Sequence, residues 1–308
     1  MLTSKSNTLI CIVGPTAIGK TSISIRLAKA FNTEIISCDS RQFYREMKIG
    51  TAVPSDDELA QVKHHFIQHL SIFENYSVGN YEKEALNKIN EIFETKNTLC
   101  LTGGSGLYQK AVLEGLDDFP VVDKSIREKL KTTYKNEGIK PLQDQLEQLD
   151  PEYFKTVDIQ NPHRLIRALE ICIGTSKPFS LFINTKKTSN RNFTPIKIGL
   201  TADRAIVYER IEQRVDKMFD SGLLKEAQSL YEYRNLNALQ TVGYKELFDH
   251  FDGKLSLEEA KSEIKKNTRR YAKRQLTWYR KQNDIKWFEY DANIDKIIDY
   301  IKTILPVK

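Results

Sequence analysis

Eight residues near the N-terminus, Gly14-Pro15-Thr16-Ala17-Ile18-Gly19-Lys20-Thr21, carry the spacing G-x4-G-K-[ST]. Glycines there let the backbone turn so that successive N–H groups converge on anionic oxygens. A helix opening near Lys20 adds the positive end of its dipole. Lys20 supplies a mobile point charge for the outer phosphates, and Thr21 offers a hydroxyl to a magnesium ion. The loop follows an apolar run, Thr8–Val13, and precedes Ile23, Leu27, Ala30 and Phe31 at helical spacing. Strand, glycine loop and helix form the setting in which this spacing binds a chain of phosphates. A kinase, an ATPase or a transferase with a diphosphate leaving group would all use it.

Other chemistry should converge on that loop. Glu34–Cys38 reads as a second strand ending at Asp39, and Asn97–Leu101 as a third running into Gly103-Gly104-Ser105-Gly106. Ligands of parallel sheets bind at the carboxyl ends of strands. Asp39-Ser40-Arg41-Gln42 and Gly103–Tyr108 are therefore expected beside the P-loop. Asp39 suits a general base or a magnesium ligand, with a helix cap as the plainer role. The Gln42 amide can pair with an adenine edge. The glycines at 103, 104 and 106 permit close backbone approach to a ligand, or simply a turn. Arg210 and Arg214 share a helix face, where like charges repel. An anion would relieve that repulsion, as would Glu209, Glu212 or solvent. His64, His65 and His69 lack a carboxylate or cysteine to complete a metal set, so packing or surface roles are expected.

The elements that position these groups read as strand–helix–strand, an interruption, then strand–helix, which implies an α/β unit with a parallel sheet. Tyr76–Glu94 reads as helical, and a second helical region runs from about Asp123 to Gly174. Pro195–Thr201 and Ile285–Tyr290 read as strands in a mostly helical C-terminal half. The expected division is a core of residues 1–50 and 97–308, with 51–96 a helical insertion domain. The 308 residues are 40% hydrophobic and 29% charged, ordinary globular composition with no run long enough for a membrane span. The polar lead before the first strand lacks the marks of a signal peptide, so a cytoplasmic protein is expected. Cys11, Cys38, Cys100 and Cys172 have no CxxC spacing and are expected to be buried small hydrophobes. The net charge of +6 is mild. Its distribution says more: Lys261 to Lys286 holds ten basic residues against Glu263 and Asp284, interleaved with Tyr271, Trp278 and Tyr279. That pattern suits phosphate contact and base stacking, or a solvated helix face with Trp278 in the core.

In order along the chain, the stretches GPTAIGKT (14–21), DSRQFY (39–44), MKIGTAVPS (47–55), GGSGLYQKAVLEGL (103–116), NPHRLIRALE (161–170), RIEQRVDKMFDSGL (210–223), QTVGYKE (240–246) and YAKRQLTWYRK (271–281) resemble the bacterial tRNA dimethylallyltransferases. That family is also called isopentenyl-diphosphate:tRNA transferase. Ile18 stands where the family usually has Ser, Ser105 where Thr is usual, and Val53 where Lys is usual. The zinc finger of eukaryotic relatives is not matched, so RNA contact is expected from the main body.

The resemblance implies a P-loop NTPase-like α/β core. It implies transfer of a dimethylallyl group from dimethylallyl diphosphate to the exocyclic amine of the adenine 3′ of the anticodon in tRNA. Catalytic roles fall to Asp39 as base, Thr16 and Arg214. Gly14, Pro15, Thr16, Ala17, Ile18, Gly19, Lys20 and Thr21 would hold the diphosphate, with Mg2+ on Thr21. Contact with the tRNA anticodon stem-loop is expected from Asp39, Ser40, Arg41, Gln42, Ser105 and Arg127. The same is expected of His163, Arg164, Leu165, Ile166 and Arg167, and of Gln240, Thr241, Val242, Gly243, Tyr244 and Lys245. A monomer is expected. Alternatives are an adenylate isopentenyltransferase acting on free nucleotide, a small-molecule P-loop kinase, and an RNA-binding module with a vestigial P-loop. The second helical region and the basic segment favour RNA.

Overall fold

The structure is a computed structural model that describes residues 7–183 and 191–305. The polar lead read at residues 1–6 lies outside the described residues.

Six strands form one sheet: β1 (Asn7–Val13), β2 (Ile35–Ser37), β3 (His64–His65), β4 (Thr98–Thr102), β5 (Phe193–Thr201) and β6 (Ile285–Glu289). All pair in parallel, in the order β3-β2-β4-β1-β5-β6. The buried runs of β1, β2 and β4 are continuous because both faces are covered. Leu9, Cys11, Ile36, Leu99 and Leu101 enter one buried cluster. Ile10, Ile12, Ile35 and Cys100, alternating with them, enter the other. The crossover from β1 passes β4 to reach β2, and the one from β4 passes β1 to reach β5. The helix Lys20–Ala30 buries Ile23 and Leu27 in the second cluster, whereas Val112 of the helix Gly106–Glu114 enters the first. The two connections thus leave on opposite faces, opening a crevice at the carboxyl ends of β1 and β4.

The chain divides differently from the expected 51–96 insertion. One compact unit comprises Met1–Leu113 and Asn190–Lys308, the other Glu114–Ser189. Residues 51–96 belong to the same unit as the sheet. His64 and His65 of β3 pair beside Ile35 and Ile36. The helix Val78–Thr95 buries Tyr81, Ala85, Ile89 and Phe93 in the cluster that holds Leu9. That stripe needs the sheet as its partner. The region read from about Asp123 to Gly174, assigned above to the core, is the separate unit. Helices Lys124–Glu137, Lys140–Leu149 and Pro162–Thr175 enclose Leu130, Leu142, Leu146, Leu165 and Leu169 among themselves.

The helical C-terminal half supplies the helices Arg204–Asp220, Leu223–Ser229, Tyr244–Phe251 and Leu257–Arg280. The last starts at a reciprocal cap: Glu259 N donates to Ser256 Oγ, and Ser256 N donates to Glu259 Oε2. No described helix is long and apolar enough to cross a membrane.

Candidate active site

Val13 ends β1 and Gly14 begins the turn. Gly14 has φ +145°, and a Cβ there would lie 2.7 Å from the Leu200 carbonyl oxygen. Gly19, at φ +107°, heads the helix Lys20–Ala30. Lys20 folds back over the loop and donates to Gly14 O at 3.0 Å and Pro15 O at 2.8 Å. Burial pushes the Lys20 ammonium down to about 8, with nearby Asp39 opposing the shift. Arg210 Nε donates to Ala17 O at 2.8 Å, and Arg214 Nη1 to Thr16 Oγ1 at 3.3 Å. Burial lowers the Arg214 pKa, and the adjacent Arg210 lowers it further. Two guanidiniums and one ammonium therefore surround the loop in a site that favours an anion.

Asp39 stands just past β2. Its Oδ1 accepts the Arg41 N–H and its Oδ2 the Gly104 N–H, each at 3.2 Å. Gly104 permits this approach, since a Cβ there would sit 2.8 Å from Asp39 Oδ2. The Gly104 carbonyl accepts from Tyr271 OH and Gln275 Nε2, both at 2.9 Å. Gln275 Oε1 in turn accepts the Thr16 N–H at 2.7 Å. The helix Leu257–Arg280 thereby fastens the loop after β1 to the loop after β4.

Two cavities meet here. The larger, about 1030 Å³, is bounded by Asp39, Ser40, Leu107, Tyr108, Tyr271, Trp278 and the stretch 240–243. The smaller, about 70 Å³, is bounded by Gly19, Lys20, Thr21, Asp39 and Gln42. Thr16, Asp39, Gly104, Arg214 and Gln275 border both. A flat aromatic ligand suits the first and a phosphate chain the second. The carboxylate of Asp39 and the hydroxyl of Thr16 lie at their junction.

A family model described as IPP transferase matches residues 42–282. The chain belongs to the IPP transferase family. This transferase is 62% identical to the tRNA dimethylallyltransferase of Christiangramia forsetii, over 97% of its own length and 98% of the relative's. It is 45% identical to tRNA dimethylallyltransferase 1 of Bacteroides fragilis, over 96% and 98% of the two chains. The crystal structure of a tRNA isopentenylpyrophosphate transferase from Bacillus halodurans superposes with TM-score 0.71 at 40% identity, covering 97% of this chain and 96% of that one. A eukaryotic dimethylallyltransferase acting on tRNA superposes with TM-score 0.80 at 28% identity, covering 98% and 81%. The P-loop NTPase-like core expected from the sequence is the fold these neighbours share.

Several sequence-derived candidates hold other positions than their types suggested. The Gln42 amide donates to Thr51 O at 3.2 Å and Ala52 O at 2.8 Å, so its nitrogen holds a loop. Arg41 Nη1 donates to Asn237 O and Ala238 O. Ser105 Oγ accepts the Ser40 N–H at 3.0 Å. Leu165 and Ile166 are core residues of the second unit, and Tyr244 is 0% exposed, so these three side chains cannot touch RNA. Arg127 and Arg167 both pair with Glu170 in the second unit. His163 and Arg164 are exposed there, and Lys245 is exposed in the first unit.

His65 bonds Glu34 at 2.6 Å, while His69 packs edge-on against Phe43 and Phe66. The four cysteines are buried free thiols, as their settings suggested. Trp278 is 40% exposed and borders the large cavity, whereas Tyr279 is the buried member of its pair. Sequence reasoning named Gly104 as a point of close approach and Tyr271 as a stacking residue, but did not single out Gln275. A signal was present for it: Tyr271 and Gln275, four apart, present one helix face.

Proposed function

We propose that this transferase moves the dimethylallyl group of dimethylallyl diphosphate to the exocyclic amine of the adenine 3′ of the anticodon in tRNA. Diphosphate leaves. One observation carries the reading: Asp39, Thr16 and Arg214 stand at the junction of a large cavity walled by Tyr108, Tyr271 and Trp278 and a small P-loop cavity. The relatives named tRNA dimethylallyltransferase support the substrate pair.

The adenine amine is a poor nucleophile because its lone pair is delocalised into the ring. A carboxylate at the junction accepts its proton as the new bond forms. The allylic C–O bond breaks, the C–N bond forms, and the amine proton passes to Asp39. Oδ1 and Oδ2 are each held by a backbone N–H, which fixes the carboxylate before substrate arrives. The departing oxygens meet Lys20, Arg214 and the loop N–H groups, so the developing charge is matched in advance. Arg214 orients the Thr16 hydroxyl, whose proton is free to turn toward the bridging oxygen. A magnesium ion fits the oxygen donors of the small cavity, with Thr21 and Asp39 offering hydroxyl and carboxylate beside the substrate's own oxygens. It would neutralise charge on the leaving diphosphate.

On the RNA side, Tyr271 and Trp278 offer ring faces for stacking. A monomer is the expected form. The cytoplasm, where tRNA is found, is the expected place of work. The test is incubation with dimethylallyl diphosphate and an anticodon stem-loop, followed by mass spectrometry of the RNA. A five-carbon mass gain on that adenine is the expected result. Unmodified RNA, with ATP consumed instead, would overturn the reading in favour of a kinase.

A further inference from the structure

Glu226 lies on the helix Leu223–Ser229, outside all the chemistry described so far. Its Oε2 accepts the N–H groups of Lys48 at 3.0 Å and Ile49 at 2.8 Å. Its Oε1 accepts the Gly50 N–H at 2.9 Å and the Tyr244 hydroxyl at 2.7 Å. An ionised carboxylate is acceptor-only, with about four lone-pair sites. Four donors therefore saturate it.

The two segments it joins meet the site at different places. Residues 48–50 lead into Thr51 and Ala52, whose carbonyls hold Gln42 and which border the small P-loop cavity as well as the large one. Ala52 also lines a third cavity of about 510 Å³ with Lys48, Arg210, Arg214 and Lys217. This segment therefore reaches the anion side, which the stretch 240–243 does not. Tyr244 directly follows the stretch 240–243 that walls the large cavity. That is the base side. Gly50 packs so closely that a Cβ would lie 2.6 Å from the Tyr244 ring. The base-side segment has further anchors: Glu246 accepts from Gly243 N and Asn267 Nδ2, and Gln240 Nε2 donates to Arg234 O at 2.6 Å.

We propose that Glu226 and Tyr244 are positioning residues that couple the RNA side of the cavity to the diphosphate side. The proposal rests on the transferase reading above. RNA seated on 240–243 immobilises Tyr244, and through Glu226 it immobilises 48–52. The ordering cost is incurred once for both ligands. Each ligand then tightens the other by the same factor, as linkage requires. Glutamine cannot replace Glu226. Either orientation of its amide turns an NH2 toward a backbone N–H.

The experiment titrates the full chain with inorganic diphosphate and magnesium by calorimetry, with and without a saturating anticodon stem-loop carrying adenine 3′ of the anticodon. RNA is expected to tighten diphosphate binding at least about fivefold. Tyr244→Phe and Glu226→Gln should reduce that factor below about twofold, whereas Lys225→Ala on the same helix keeps it. Tyr244→Phe retains the buried ring and loses only the hydroxyl, so it serves if Glu226→Gln does not fold. At saturating RNA, its KM for dimethylallyl diphosphate should rise by the lost factor, with kcat little changed. A residue that only stabilised the fold would lower the melting temperature and leave the factor intact. Full coupling in Tyr244→Phe, or its loss in Lys225→Ala, overturns the proposal. A parent protein that prenylates the RNA yet shows no coupling also overturns it, with the transferase reading left standing. A parent that binds neither ligand removes both.

Discussion

The Gly104 N–H donates to Asp39 Oδ2 at 3.2 Å, while the Gly104 carbonyl accepts from Tyr271 and Gln275 on the opposite side. One residue thus links the Asp39 carboxylate to the helix that walls the large cavity. A Cβ at 104 would meet Asp39 Oδ2 at 2.8 Å and Gln275 Nε2 at 2.9 Å. Gly104→Ala should therefore displace the carboxylate. We predict kcat/KM at least tenfold lower, with about 1–3 kcal/mol of strain seen as a lower melting temperature. Parent-like kinetics would show that the loop gives way freely.

Asp39→Ala removes the carboxylate proposed to accept the amine proton. General-base loss costs on the order of 10²–10⁴ in turnover. The tRNA dissociation constant should change by less than about threefold, because the proton acceptor acts in the transition state. Single-turnover kinetics beside filter binding separates the two, and an unchanged turnover number would exclude Asp39 as the base.

Lys20 gives a pH signature. In the free protein its ammonium is held down to about 8 by burial. The unfolded chain therefore holds more protons than the folded one between about 8 and the ordinary lysine range, and folding stability rises with pH across that window. Diphosphate requires the charged form. Its affinity should weaken about tenfold between pH 7 and pH 9 relative to Lys20→Arg, which stays charged and reports the ligand's own titration. Calorimetry at several pH values checks this, and parallel profiles for the two proteins would contradict it.

Trp278→Ala removes a ring that borders the large cavity. Base stacking on an aromatic ring contributes about 1–3 kcal/mol. The expected result is RNA binding weaker by about tenfold, with diphosphate binding unaffected. Equal loss of both affinities would place Trp278 in the scaffold instead.

Much of this site was legible in the sequence for physical reasons. Gly14 and Gly19 mark left-handed backbone, and Asp39 directly follows a run that only a buried strand explains. Gln275 was passed over because its place beside Tyr271 on one helix face gains meaning only once the helix docks on Thr16. Glu226 was hidden likewise, since its four donors come from residues about 18 and 178 positions away. Gln42 is ambiguous by type, because an amide that suits adenine suits two backbone carbonyls equally well. The division at Glu114–Ser189 escaped because periodicity reveals an apolar stripe but not the surface it meets.

The bond between Thr16 and Gln275 joins residues 259 positions apart. At about 5–20 residues per second on a ribosome, the phosphate loop emerges some tens of seconds before its clasp is made. A nascent chain thus carries the earliest-made part of the enzyme in unfinished form until almost the last helix is out. Arrested chains of graded length, probed with labelled diphosphate, should bind it tightly only once residue 275 has cleared the exit tunnel. Birth order alone would keep half-made molecules from capturing substrate.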